Sequence, residues 1–291
     1  MLKIELRRFV SKLEGKNKHI FFAVLVLICI MAVSFGIYIQ FFYKYADTDP
    51  LMIGINIGAQ KTLEEYAILE SNFNDMFQNG IKQHLTSEAN VQKIEEDNEL
   101  VYTAYELVNE DEAYYSVDAQ IPIINIDSQT AKKINQEIKQ EYYDKANSVM
   151  RQDEGNTIYK VTYQAFVNED ILSLVIRASL KEDNKSEKVS VKTYAYSLSQ
   201  EEEVSIEQLI DLKKTTVETV QKNIDKEIKK ADEDARIIAN EYGTSFERNL
   251  ESKIYKVDSI DTYFLTEDGY VYIIFPYGNE DYTNEMDIVI F

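Results

Sequence analysis

Residues 159–180 read YKVTYQAFVNEDILSLVIRASL. Tyr159, Val161, Tyr163, Ala165 and Val167 occupy every second position, and so do Leu172, Leu174, Ile176, Ala178 and Leu180. A spacing of two places these side chains on one face of an extended strand. Asn168-Glu169-Asp170 between the runs are turn formers whose side chains bond nearby backbone. The stretch predicts a hairpin with one face buried in a core.

Working outward, Val189, Val191 and Ala195 lie in a third strand over 189–197. Upstream, Tyr115, Val117, Ala119, Ile121 and Ile123 alternate with polar residues, and 100–108 is another apolar-rich run. Between these and the hairpin, Ala131, Ile134, Ile138, Tyr142, Ala146 and Val149 recur at three- and four-residue steps, behind a cap at Asp127 or Ser128. Three antiparallel strands behind a helix are the simplest arrangement. Downstream, Ser205-Ile206-Glu207-Gln208 and Thr215-Thr216-Val217-Glu218 have capping-box spacing and open two helices. Residues 231–243 read as either a continuation of the second helix or a loop. Strand signals return at 260–266, 270–275 and 286–291, with a turn at Asp268-Gly269. Strands and helices that do not strictly alternate point to α+β, with antiparallel sheets packed against helices. We expect a first α+β module over 100–180 and a second over 181–291.

Residues 20–43, IFFAVLVLICIMAVSFGIYIQFFY, carry no charge. As a helix they span roughly 36 Å, against ~30 Å of bilayer hydrocarbon. Residues 1–19 carry six cations and two carboxylates, net +4. The positive-inside rule makes this a cytoplasmic tail followed by a single transmembrane helix. The expected location is therefore the cell membrane, with the bulk of the chain outside. Ala32-Val33-Ser34 has the small-residue spacing that signal peptidase favours, but the apolar run continues past it, so the segment reads as an uncleaved anchor. Residues 44–99 read as a juxtamembrane segment, with an amphipathic helix over 61–78 and a polar connector over 82–99. Cys29, the only cysteine, lies in the span, so no disulfide within the chain supports the outer region.

The whole chain carries −20, which leaves −24 for residues 44–291. Such a surface repels nucleic acid and favours a cationic partner. With His84 as the sole histidine of that region, there is little material for a zinc site or a Ser-His-Asp arrangement. No Gly-rich phosphate loop and no calcium loop fits its spacing. The residues give no reason to expect a cofactor or a metal, and the 19 tyrosines outside the span suit strands.

VDSIDTYFLTEDGYVYIIFPYGNEDYTNEMDIVIF (257–291), AYSLSQEEEVSIEQLIDL (195–212) and YSVDAQIPIINIDSQTAKKINQEIKQEYYD (115–144) together resemble the two-part outer domain of RsiV-type anti-sigma factors. The first half is also similar to the non-catalytic N-terminal module of the peptidoglycan deacetylase PdaC. The resemblance implies a single-pass protein with its N-terminus inside. Its outer domain would bind lysozyme, which exposes the family's proteins to signal peptidase. No catalytic residue carries over, so the resemblance implies binding and not an enzyme. It places Pro276, Tyr277 and Gly278 at a partner-binding surface, while the same residues read locally as a turn between strands. The resulting expectation is an extracytoplasmic binding or sensing module of the cell envelope, recognising a basic protein such as lysozyme or a peptidoglycan fragment. One alternative is an anti-sigma factor with a minimal tail of 19 residues. Another is a carboxylate-dependent wall hydrolase, which needs two acidic side chains about 5–10 Å apart in a cleft.

Overall fold

The computed structural model describes residues 73, 75–77, 81, 83–85, 91–242, 248–276 and 286–291. All of them belong to one compact unit, Lys61–Phe291. The predicted span at 20–43 lies outside the described residues. Among those described, no helix is long and apolar enough to cross a membrane.

The unit is α+β with antiparallel-rich sheets. The hairpin is present: β4 (Thr157–Asn168) pairs antiparallel with β5 (Ile171–Glu182), and Asn168 faces Ile171 across the turn. Glu169 in that turn takes a φ of 52°. The turn also ties other parts together. The Asp170 carboxylate accepts from the Ser197 and Ser199 hydroxyls, at 2.6 and 2.8 Å. The Asn168 amide donates to the Glu267 carbonyl at 2.7 Å.

On one side of the hairpin, β5 pairs with β6 (Lys188–Ser197), and β6 with the short β7 (Glu202–Glu203), all antiparallel. On the other side lie β3 (Tyr115–Ile124) and the end strand β2 (Val101–Asp111). The expected three-stranded antiparallel meander is present as β4–β5–β6, but the large sheet is not antiparallel throughout, because β3 and β4 run parallel. A parallel pair needs a crossover. The segment α1 (Gln129–Ile138), a π turn (Lys139–Tyr143) and α2 (Asp144–Val149) supplies it. A second parallel pairing corrects the reading of 82–99 as connector alone. There β1 (Gln83–His84) lies beside Ala165 and Phe166 of β4.

Ser128 caps α1, its hydroxyl accepting from the Ala131 amide at 3.0 Å. Ala131, Ile134, Ile138, Tyr142, Ala146 and Val149 are buried as their spacing requires. They cover the face made by Val117, Ala119, Ile121, Val161, Tyr163, Leu172, Leu174 and Ile176.

The second half builds a three-stranded antiparallel sheet from β8 (Tyr263–Leu265), β9 (Val271–Pro276) and β10 (Met286–Ile290). Two 3-10 turns, Lys253–Tyr255 and Val257–Ser259, precede it, so β8 starts later than the apolar run suggests. Gly269 sits at φ +82° in the β8–β9 turn, a left-handed conformation that glycine adopts without a Cβ penalty. One face of this sheet, with Leu265, Val271, Ile273, Phe275 and Val289, packs on α3 (Ile206–Leu212) and α4 (Val217–Tyr242). The other face, with Phe264, Tyr272 and Ile274, packs on Phe166 and Val175 of the large sheet. The layers run helix, large sheet, small sheet, helix.

Helical residues 73 and 75–77 insert at the junction of the two sheets. Phe73 and Phe77 are buried there, and the Gln164 side chain donates to the Met76 carbonyl. The capping box at Ser205 is complete, with bonds of 3.3 and 2.7 Å in the two directions. The α4 cap falls one residue later than predicted. Thr216, not Thr215, accepts from the Thr219 amide. Residues 231–242 continue that helix.

Candidate functional site

Of the three residues implied to meet a partner, Pro276 ends β9, in register with Met286 of β10. Tyr277 and Gly278 lie outside the described residues. The structure therefore places the segment at the start of the β9–β10 connection.

Several titratable groups gather around Glu141, in the π turn. π turns inside helices often mark functional sites. Its carboxylate accepts from the Lys192 ammonium at 2.7 Å, and both side chains are part-exposed. Lys192 sits on β6 and places its Nζ 5.5 Å from the Tyr194 ring centre. Burial works against the ammonium and is the largest single influence, but Glu141 and Tyr194 together outweigh it and lift the Lys192 pKa above the usual lysine value. Tyr142, Tyr159 and Tyr194 all border the pair and are buried. Burial, reinforced by the Glu141 charge, drives the Tyr142 and Tyr159 phenols well above their ordinary range. Burial pushes Tyr194 to about 12, although the Lys192 charge pulls the other way. The Tyr142 and Tyr194 hydroxyls find no hydrogen-bond partner among the described residues.

On the far side of the π turn, Tyr143 meets Tyr105 of β2 with ring centres 4.5 Å apart. The Lys139 ammonium sits about equally far from both rings, at 5.8 and 5.9 Å. The helix is thus flanked by two lysine–tyrosine clusters. Their chemistry is that of neutral phenols and fixed charges. No pair of carboxylates in them faces a cleft.

A shallow groove elsewhere is lined by Asp153, Glu154, Glu182 and Asp183, with Lys185. These carboxylates close the loops around the β4–β5 ends. Asp183 accepts from the Asn156 amide at 2.7 Å, and Glu182 pairs with Lys185 at 3.2 Å. Among the described residues no group of three His, Cys, Asp or Glu could hold a metal ion.

Sequence reasoning missed both Glu141 and Lys192. The one signal available was Lys192 itself, a cation on the strand face that also carries Tyr194 and Tyr196. The pairing is 51 residues apart in sequence and needs the crossover to be known.

No protein-family model matches this chain. No curated protein matches it either. Among solved structures, a DUF3298 family protein from Pseudomonas aeruginosa PAO1 is similar at 11% identity and a TM-score of 0.35, over 62% of this chain and 83% of its own. A member of the same family from Bacteroides fragilis NCTC 9343 is similar at 9% identity and a TM-score of 0.32, over 61% and 80%. At scores this low, neither a shared fold nor a function follows from the likeness.

Proposed function

We propose that this chain is a membrane-anchored, extracytoplasmic binding or sensing module of a bacterial cell envelope, and that its ligand is a lysozyme-type basic protein or a cell-wall fragment. The observation that carries this reading is the order of charges along the chain. A +4 tail is followed by 24 uncharged residues and then by −24 over the remainder. That order suits an anchor with its tail inside, and an acidic outer unit suits a cationic ligand. The resemblance to RsiV-type outer domains points the same way. Binding is favoured over catalysis because the carboxylates best placed in the described unit are already engaged. Glu141 holds Lys192, Asp183 closes a loop, and Asp287 holds Arg248.

The test is a calorimetric titration of the full chain, in detergent micelles, with a lysozyme at low and at physiological salt. Saturable binding that weakens with salt is expected. No saturable heat at either salt removes the lysozyme ligand. Peptidoglycan fragments are then titrated in the same way, and their failure would remove the wall ligand as well.

A further inference from the structure

Residues 94–131 contain ten Asp and Glu and no Lys, Arg or His. The fold gathers this block along one side of the large sheet, in the loop leading to β2, in β2 and in β3. All ten carboxylate residues are exposed. Among the described residues only Asp127 has a cation within ion-pair distance, the neighbouring Lys132. Among the described residues, charge on this side is therefore almost wholly uncompensated.

Two further observations point to the same place. β2 is the end strand of the large sheet and is 11 residues long. Its only strand neighbour among the described residues is β3. Among the described residues no strand pairs with its outer edge, whose backbone N–H and C=O groups therefore enter no ladder there. Three of the eight exposed large apolar side chains among the described residues also fall in this block: Ile94, Val108 and Tyr114. Val108 is the most exposed of all, at 70%. It stands opposite Asp118 and alternates onto one face with Glu106 and Glu110.

The acidic loop is held firmly. Asn125, wholly buried, accepts from the Glu95 amide at 2.9 Å and donates to the Glu95 and Glu99 carbonyls at 2.8 and 3.0 Å. An ordered edge binds with less entropy to lose.

These features select one kind of occupant. A second copy of β2 would set Glu106, Glu110, Asp111 and Glu112 against their own counterparts, which is unfavourable. Nucleic acid is repelled by the same charges. A cationic extended segment satisfies the open backbone, the carboxylates and Val108 together. We propose that β2 is a docking edge for an extended lysine- or arginine-rich segment of a partner protein, which joins the large sheet as an added strand. This deepens the binding reading above and rests on it.

The experiment uses the full chain in micelles and two ten-residue probes. One alternates Lys and Val. The other has the same charge but Pro at every valine position, so it cannot form a ladder. Binding is read by calorimetry and by amide hydrogen exchange. The Lys-Val probe is expected to bind saturably and to slow exchange within residues 101–111. The Pro probe should bind roughly tenfold more weakly, as should the Lys-Val probe to a Glu106→Gln/Glu110→Gln/Asp111→Gln variant whose melting temperature is unchanged. Unaltered exchange over 101–111, or equal affinity for the two probes, overturns the docking edge. A lysozyme that binds saturably without altering exchange there also overturns it, but leaves the binding reading standing. If neither probe nor lysozyme binds, the docking edge and the basic-protein ligand fall together.

Discussion

Arg248 grips Asp287 with two nitrogens: Nη2 lies 2.8 Å from Oδ1 and Nε lies 2.9 Å from Oδ2. Both side chains are less than a tenth exposed. The same guanidinium donates through Nη1 to the Ala231 carbonyl at 2.7 Å, and the Arg248 amide donates to Asp232 at 3.0 Å. The Tyr255 hydroxyl donates to Asp287 at 3.3 Å. This one cluster fastens α4, the segment after it and β10. Removing one partner of a buried pair leaves the other charge uncompensated. Asp287→Ala is therefore expected to cost about 3–5 kcal/mol, read as a fall in the urea midpoint. A loss under about 1 kcal/mol would mean that Arg248 finds water instead.

Alkaline pH should unfold the unit through its tyrosines. Burial is the main cause that raises Tyr142, Tyr159, Tyr194, Tyr263 and Tyr272, the last three to about 12. A phenol whose pKa is higher folded than unfolded stabilises the fold fully below its unfolded value of about 10. That contribution is lost as pH rises from there through the folded values. Stability should be flat from neutrality to about pH 10 and then fall by up to ~1.4 kcal/mol per pH unit for each such tyrosine. Urea titrations between pH 8 and 12 check this, and Tyr159→Phe should make the decline shallower.

The Glu141–Lys192 pair predicts a contrast with Arg248–Asp287. Both of its side chains are more than a third exposed, so solvent screens the attraction. Glu141→Gln should change stability by less than ~1 kcal/mol. It should nonetheless lower the midpoint of phenol ionisation seen by ultraviolet titration, because the Glu141 charge helps raise Tyr142 and Tyr159.

Phe73 should behave as a core residue although it precedes every described strand. It is 2% exposed, and its ring meets Phe77 at 5.4 Å and Phe264 at 6.3 Å between centres. Phe73→Ala is expected to cost about 3–5 kcal/mol in chemical denaturation. A near-neutral result would mean that the two sheets close up without it.

Ser205→Ala removes one half of the α3 capping box and should cost about 1 kcal/mol. Thr216→Ala should cost a similar amount, while Thr215→Ala should be close to neutral. Thermal melts of the three variants decide where the α4 cap lies.

Alternation and caps were legible in the sequence because they are local. The faces of β3, β4, β5 and α1 follow directly from residue spacing, and so does Ser205; for the α1 cap the sequence offered Asp127 or Ser128, and the structure selects Ser128. Strand partners were not legible. Alternation in 115–123 says which face of β3 is buried but not that β4 lies parallel beside it. Gln83 and His84 form too short a strand to leave a periodic signal. Arg248 and Asp287 lie 39 residues apart, and nothing near either one announces the other. The implied contact at Pro276, Tyr277 and Gly278 rested on resemblance alone, and two of its three residues fall outside the described chain. The acidic run at 94–131 was visible as charge, but only strand order shows that it borders the end strand of the large sheet among the described residues.

The wedge made by Phe73 and Phe77 bears on how the unit assembles as it is synthesised. Its partners Gln164, Phe166, Phe264 and Tyr272 follow it by roughly 90 to 200 positions. Chains grow from the N-terminus, and distant contacts must wait for the intervening residues to exist. The β4–β5 hairpin can close as soon as it is made, whereas residues 73 and 75–77 have only part of their seat, at Gln164 and Phe166, until the small sheet is complete. The part of this unit that is translated early is therefore among the parts that settle late.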